Sequence, residues 1–90
     1  DTRHHEYQEI KSRIHQELRY PESARRALQE GRTKVLAAID ARGNIAELMM
    51  LESAGDHALD QAAINAVKRA APYPELANRS VAIPLTFKLR

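Results

Sequence analysis

The fold is decided by the stretch Val81-Ala82-Ile83-Pro84-Leu85-Thr86-Phe87-Lys88-Leu89, in which apolar side chains alternate with small or polar ones without a break. This period of two predicts a β-strand that turns its odd-numbered side chains toward a core. Pro84 has no N–H to give to a ladder, so a central strand would lose a hydrogen bond there. The strand is therefore expected at a sheet edge, with one row of main-chain groups uncovered.

A hairpin is predicted upstream of this strand. Residues 33–40 and 45–52 form its two strands, and the intervening 40–44 loop carries Gly43 at a left-handed position. The return strand steps irregularly between its first two core positions, which requires a bulge near Ala46-Glu47. The predicted inward positions of the hairpin are Val35, Ala37, Ile39, Ile45, Leu48 and Met50.

Two helices are predicted before the hairpin. The first runs from about Glu6 to Leu18, after a polar segment 1–5 that is expected to fray, and its stripe consists of Tyr7, Ile10, Ile14 and Leu18. The second begins at Pro21, which suits a first-turn position, and ends at Gly31 in the left-handed region. Its small apolar face is predicted to be Ala24, Ala27 and Leu28.

A third helix follows the hairpin, with Asp56 as its N-cap, Asp60 in its first turn and Pro72 and Pro74 after its end. Its inward stripe is predicted to be Leu59, Ala63, Ala66, Val67 and Ala70. The element order is then helix, short helix, strand, strand, helix, strand. This order predicts an α+β fold: a two-layer sandwich whose three-stranded antiparallel sheet has the order 2-1-3 and carries the helices on one face.

Composition excludes several classes of function. Ninety residues with 43% hydrophobic and 29% charged side chains make one small globular domain. There is no cysteine, which excludes disulfides, cysteine-bound zinc and thiol catalysis. The net charge is only +2, the basic residues are scattered among acidic ones, and the chain has four aromatic residues, so no nucleic-acid partner is predicted.

No enzymatic site, metal site or cofactor is predicted either. Ser53, Asp56, His57 and Asp60 lie close in sequence, but serine and aspartate before a helix are capping residues. None of the four histidines stands four residues from another, the spacing of a two-histidine metal grip. The pair Arg25-Arg26 is interpreted as a solvated helix face or as the rim of a docking surface.

The edge strand leaves two interpretations open. Another segment or a second copy of the chain could cover it, or Pro84 and Lys88 could suffice to blunt it. Alternatively, the edge could capture an extended peptide as an added strand.

The motifs, taken in order, resemble the C-terminal domain family of TonB-type energy transducers of Gram-negative bacteria. The matching residues are Tyr20-Pro21, Ala24, Ala27, Glu30-Gly31, Val35, Ile39-Asp40, Gly43, Ile45, Leu48, Met50, Ser53, Gly55, Leu59-Asp60, Ala62-Ala63, Ala66-Val67, Pro72, Pro74 and the stretch 81–89. The resemblance covers about residues 20–89. It implies two parts: a polar tail with an amphipathic helix over 1–19, and the TonB-like domain over 20–90.

The resemblance also implies a function. The family couples the proton motive force, through ExbB and ExbD, to import of ligands such as siderophores, haem or cobalamin by outer-membrane transporters. Its C-terminal domain lies in the periplasm and binds the TonB box, an extended transporter segment, by strand addition. The resemblance also implies an inner-membrane helix and a long linker upstream of this sequence, which begins with Asp1 and not with methionine.

By the same resemblance, partner-binding residues fall in two places. They are Arg19, Tyr20 and Pro21 before the second helix, and Val81, Ala82, Ile83, Pro84, Leu85, Thr86, Phe87, Lys88 and Leu89 in the last strand. Where some members have Gln-Pro, this sequence has Glu17-Leu18. Two alternative functions are an envelope-spanning adaptor like TolA, and a self-associating module in which the edge strands of a homodimer pair.

Overall fold

The computed structural model describes residues 2–89, with side chains from residue 8 onward. The elements in chain order are α1 (Thr2–Glu17), α2 (Glu22–Arg26), β1 (Gly31–Ile39), β2 (Ile45–Glu52), α3 (His57–Ala70), a 3-10 turn (Pro74–Leu76) and β3 (Ser80–Phe87). The three strands form an antiparallel sheet in the order β2-β1-β3. The predicted α+β architecture and strand order are confirmed.

The core lies between one face of the sheet and the helices. Inward side chains of β1 and β3 are fully or almost fully buried: Val35, Ala37, Ile39, Ile83, Leu85 and Phe87. Helix α3 contributes Leu59, Ala63, Ala66 and Val67, and α1 contributes Ile10 and Ile14. The alanines of α3 leave little side-chain bulk in its stripe, so the helix packs close to its neighbours. Half-buried apolar side chains pack around this cluster: Leu18, Ile45, Leu48, Met50 and Val81.

The hairpin has the predicted bulge. Ala38 lies opposite Glu47 while Ile39 lies opposite Ile45, so Ala46 is the extra residue. A second irregularity, between the partners of Lys34 and Val35, was not predicted. In the loop, Gly43 has φ +87°, and a Cβ there would stand 2.7 Å from the Cα of Pro74. The loop therefore requires glycine both for its backbone conformation and for the close approach of the chain after α3.

The prediction for the end of the second helix is wrong. Leu28, not Gly31, has the left-handed backbone (φ +57°), and its side chain is 77% exposed. The Gln29 N–H donates to Ala24 O at 2.8 Å and the Leu28 N–H donates to Arg25 O at 3.1 Å, the pattern of a Schellman motif. Of the predicted apolar face only Ala24 is buried.

Gly31 has a different role. It is the first residue of β1, and a Cβ at this position would stand 2.8 Å from the Cβ of Ala54, in the loop that leads to α3. Glycine is needed there because two segments of backbone approach closely and not because the chain turns.

Helix α1 is longer than predicted. It begins at Thr2, so the expectation of fraying over 1–5 is wrong for residues 2–5, and Asp1 lies outside the described residues. Once a helix is nucleated, main-chain hydrogen bonds alone can add further turns. A search for regularly spaced apolar residues does not detect such turns. Ile10 and Ile14 are buried as predicted, whereas the side chain of Tyr7 lies outside the described part.

A polar cluster fastens α1 to the segment after α3. Arg13 forms an ion pair with Glu75 (Nη1 to Oε2, 2.7 Å), donates from Nη2 to Pro72 O at 3.2 Å, and lies 5.4 Å from the ring centre of Tyr73. The hydrogen bond from Arg13 holds the pKa of the Glu75 carboxyl below its usual range. The Tyr73 hydroxyl donates to Val67 O at the end of α3.

The Tyr73 cluster predicts a pH dependence of stability. Burial raises the pKa of Tyr73 to about 12. The pKa of Tyr73 is thus higher in the folded state than in the unfolded state, so the neutral phenol stabilises the fold. This contribution to the free energy of unfolding is complete below about pH 10 and is lost as the pH rises toward about 12. We expect Tyr73→Phe to lower the unfolding free energy at neutral pH by about 1 kcal/mol and to remove that alkaline loss.

Urea titrations of both proteins near pH 7 and near pH 11 measure this. Because the two proteins differ only at residue 73, the difference between their alkaline losses isolates Tyr73. An equal alkaline loss in the wild type and in Tyr73→Phe would contradict the assignment.

Candidate functional site

The outer edge of β3 is one border of the sheet. Within residues 2–89, β3 pairs with β1 and with no other strand. The Ile39 N–H donates to Arg79 O at 2.8 Å, and antiparallel ladders alternate bonded with non-bonded pairs. Odd-numbered residues of β3 therefore direct their main-chain groups toward β1, and even-numbered residues direct theirs away from the sheet.

Pro84 falls in the outward set. It lies opposite Lys34 in a non-bonded pair, so it removes no bond from the β1–β3 ladder. The Leu89 N–H donates back to Glu30 Oε2 at 2.6 Å, so the alternation continues past the end of β3. Ala82 has the outward orientation but already takes part in an interaction. The outward row consists of Ser80, Pro84, Thr86 and Lys88.

Side chains along β3 follow the same alternation. Ile83, Leu85 and Phe87 are buried in the core, while Pro84 and Thr86 are exposed on the uncovered face of the sheet. A chain added at this edge would meet main-chain groups first and few side chains. Such an edge can recognise an extended backbone with little dependence on its sequence.

Tyr20 packs against the end of β3. Its ring meets Phe87 edge-on, with centroids 5.6 Å apart and planes at 89°, and its hydroxyl donates to Gln29 O. Partial desolvation, followed by the charges of Glu30 and Asp56, raises the pKa of Tyr20. The structure thus brings together Tyr20 and the last strand, which the resemblance had assigned to one site.

A pocket of about 450 Å³ adjoins Tyr20. Its lining residues are Tyr20, Arg25, Leu28, Lys88 and Leu89. It combines two cationic groups with an exposed leucine, and so suits a chain that carries apolar and acidic side chains. Leu28 was missed as a surface residue because the sequence assigned it to the core. Arg25 was noted as a candidate docking rim, whereas Arg26 pairs with Glu22 at 3.1 Å.

Arg19 and Pro21 lie elsewhere. Both line a second pocket, of about 260 Å³, against the outer side of α3. Neighbours in sequence therefore face different surfaces: Tyr20 contacts the end of β3, and the residues on either side of it meet α3. The resemblance grouped these three residues, and their direction could be read only from the structure.

Of the two acidic residues near the start of α3, Asp56 caps the helix and Asp60 holds the preceding loop. Asp56 accepts from the Leu59 N–H at 3.1 Å, as predicted for the N-cap. Asp60 accepts from the Ala54 N–H at 2.8 Å and from the Ser53 hydroxyl. Among the side chains that the structure describes, from residue 8 to residue 89, no group of three or more histidine or acidic residues is arranged to hold a metal ion. Over residues 2–89, no helix has both the length and the apolar character needed to cross a bilayer.

Comparison with known proteins identifies the family. The model of the Gram-negative bacterial TonB protein C-terminal family matches residues 16–89. The chain belongs to this family. Protein TonB of Pseudomonas putida is 35% identical to it over an alignment that covers 79% of this chain and 32% of that protein. This TonB-family chain therefore spans about a third of the length of that relative.

Solved structures agree with the fold. The solution NMR structure of the Helicobacter pylori TonB C-terminal domain has a TM-score of 0.73 and 29% identity to this TonB-family chain, with 92% of each chain covered. TolAIII, solved by NMR with a peptide derived from the N-terminus of TolB, has a TM-score of 0.69 over 90% of this chain and 71% of that chain. At 23% identity, this second likeness concerns the fold alone.

Proposed function

We propose that this chain is the partner-binding C-terminal domain of a TonB-type energy transducer, and that it binds an extended segment of an outer-membrane transporter as a fourth strand on β3. The observation that carries the proposal is the outward main-chain row of Ser80, Pro84, Thr86 and Lys88 at an edge that no strand covers in residues 2–89. Membership of the family supplies the class of partner.

The energetics of strand addition suit a transducer. Each main-chain hydrogen bond contributes roughly 0.5–1.5 kcal/mol net, so a few of them give a modest affinity. A modest affinity allows the contact to form and break in each transport cycle. Because the contacts are made to backbone, one domain can serve several transporters. Tyr20 with its pocket, and Arg19 and Pro21 on the other side, complete the proposed partner surface together with residues 81–89.

In the whole protein, this domain would lie in the periplasm. We propose an inner-membrane anchor preceding residues 1–19, through which ExbB and ExbD deliver the proton motive force, with 20–90 as the domain that reaches the transporter. The imported ligands would be of the siderophore, haem or cobalamin class. The family match and the relative, of which this chain covers 32%, support this assignment.

A TolA-like adaptor is the second candidate. The TM-score of 0.69 to TolAIII shows a shared fold only, and the uncovered edge of β3 is compatible with an extended segment of a different partner. The two functions differ in partner, so binding to transporter peptides separates them.

An amide-shift titration tests the proposal. A synthetic peptide with the N-terminal sequence of an outer-membrane transporter is added to the ¹⁵N-labelled domain. We expect saturable shifts centred on Thr86 and Lys88, with smaller ones at Tyr20. The matched control is the same peptide N-methylated at every residue, which has no N–H to give to a ladder and should not bind.

Three outcomes would contradict the proposal: no binding, equal binding of the methylated peptide, or shifts confined to β2. Sedimentation of the domain over a range of concentrations tests the third candidate. A tight homodimer paired through β3 would leave no edge for a transporter and would favour the self-associating module.

A further inference from the structure

The second pocket lies away from β3, between the α1–α2 connection and the outer side of α3. Its volume is about 260 Å³. Pro21, Ala58 and Ala62 give it a shallow apolar floor, and the rim consists of Arg19, Gln61, Asn65 and Arg69. The residues of α3 in this pocket belong to the stripe beside its buried one, so the fold of the core does not explain their polarity.

Charge in this pocket is one-sided. Arg19 and Arg69 are far apart in sequence, yet the fold brings both to this pocket, and none of the described lining residues is acidic. Among the described residues neither arginine has an ion pair or a side-chain hydrogen bond, whereas Arg13 pairs with Glu75 and Arg26 with Glu22. Two guanidinium groups thus border the same pocket without a described partner.

The amides on the rim add hydrogen-bonding groups. Gln61 and Asn65 lie one turn apart, and Gln61 Nε2 donates to Asn65 Oδ1 at 3.4 Å. This bond uses the oxygen of Asn65 and leaves its NH₂ group to donate to a ligand. The rim therefore presents guanidinium and amide donors over an apolar floor.

We infer that this pocket binds the carboxylate of an acidic side chain in an extended peptide. Guanidinium groups match the planar geometry of a carboxylate and donate in pairs. The floor of Pro21, Ala58 and Ala62 provides apolar contact for the methylene groups that carry an aspartate or glutamate carboxylate. A phosphate group has no methylene groups to use this floor.

This pocket shares Arg19 and Pro21 with the proposed partner surface, but it includes no residue of β3. Tyr20, which lies between Arg19 and Pro21 in sequence, turns to Phe87 and separates the two surfaces. An acidic peptide could bind at α3 even if nothing adds to β3, so failure of one assignment leaves the other standing.

A titration with small probes tests the inference. Acetyl-Ala-Glu-Ala-amide, the same peptide with glutamine, and inorganic phosphate are added separately to the ¹⁵N-labelled domain. We expect the glutamate peptide to shift the side-chain NH₂ signals of Gln61 and Asn65 and the Nε signals of Arg19 and Arg69, with a dissociation constant on the order of several mM. The glutamine peptide should not shift them.

Charge-removing variants then assign the site. Arg19→Gln and Arg69→Gln should each weaken binding of the glutamate peptide by about fivefold, and the double variant should abolish it. Arg42→Gln, in the exposed hairpin loop, is the matched control and should bind as the wild type does. Since these side chains are exposed, the backbone spectra should show the native fold, which the same experiment verifies.

Several results would overturn the inference. Equal shifts with the glutamine peptide would remove the carboxylate from recognition, and a comparable loss in Arg42→Gln would reduce the effect to net charge. Tighter binding of phosphate than of the glutamate peptide would assign the pocket to a different anion. A separate titration of Arg69→Gln with the transporter peptide, followed at the amide signal of Thr86, shows whether the edge of β3 still binds.

Discussion

Replacing Phe87 by alanine is expected to lower the unfolding free energy by about 3–5 kcal/mol. Phe87 is 2% exposed, is the last inward residue of β3, and lies opposite Gly31, which offers no side chain to fill the space. Its ring also supports Tyr20 edge-on. A domain of this size has a total stability of about 5–15 kcal/mol, so the substitution removes a large part of it.

Urea unfolding followed by circular dichroism measures this loss. The control is Phe87→Leu, which keeps most of the buried volume and should cost less than half as much. In the folded fraction of Phe87→Ala, the Tyr20 ring signals should move toward those of a solvated tyrosine, because their packing partner is gone. A loss below about 1 kcal/mol would show that the end of β3 can collapse around the cavity.

Replacing Thr86 by proline is expected to weaken transporter-peptide binding by roughly 30- to 150-fold. Thr86 belongs to the outward row, so its N–H faces a visiting strand and not β1. The substitution removes that donor and leaves a peptide carbonyl unsatisfied, which costs about 2–3 kcal/mol. Folding should lose only about 1 kcal/mol, because the β1–β3 ladder keeps all its bonds.

Thr86→Ala is the matched control. It removes the same exposed side chain but keeps the N–H, so its peptide affinity should stay within about twofold of the wild type. Calorimetric titration of the three proteins with one transporter peptide gives the comparison. Unchanged affinity in Thr86→Pro, with the fold verified, would exclude main-chain pairing at this position.

The sequence was sufficient for the sheet because alternation and proline placement are local signals. Residues 81–89 indicated an edge strand, and the step between Ile45 and Leu48 indicated the bulge at Ala46. The sequence-based prediction failed at the end of α2, where Leu28 adopts the left-handed conformation that is usual for glycine. Glycine is needed instead at Gly31, the first residue of β1, where Ala54 approaches closely, and only the folded chain shows this contact.

The candidate site was predictable in part. The position of β3 at an edge of the sheet followed from Pro84. Which of its main-chain groups face outward depends on which residue pairs of β1 and β3 are hydrogen-bonded, and that required the register. The separation of Tyr20 from Arg19 and Pro21 depends on how the α1–α2 connection crosses α3. No pattern in the sequence placed Gln61, Asn65 and Arg69 beside Arg19. The spacing of residues along a helix shows which of them share a face, but not which distant segment packs on that face.

Pro84 has a further consequence for association of whole domains. The sheet ends in β2 on one side and β3 on the other, so copies could stack β2 on β3 in a head-to-tail contact that never closes, the geometry of a growing fibril. In such a stack every junction would lack the donor that proline removes, and the loss would recur with each added copy. A single visiting peptide incurs it once. The residue therefore weakens every junction of a growing fibril, whereas a single bound ligand meets the loss at one junction only.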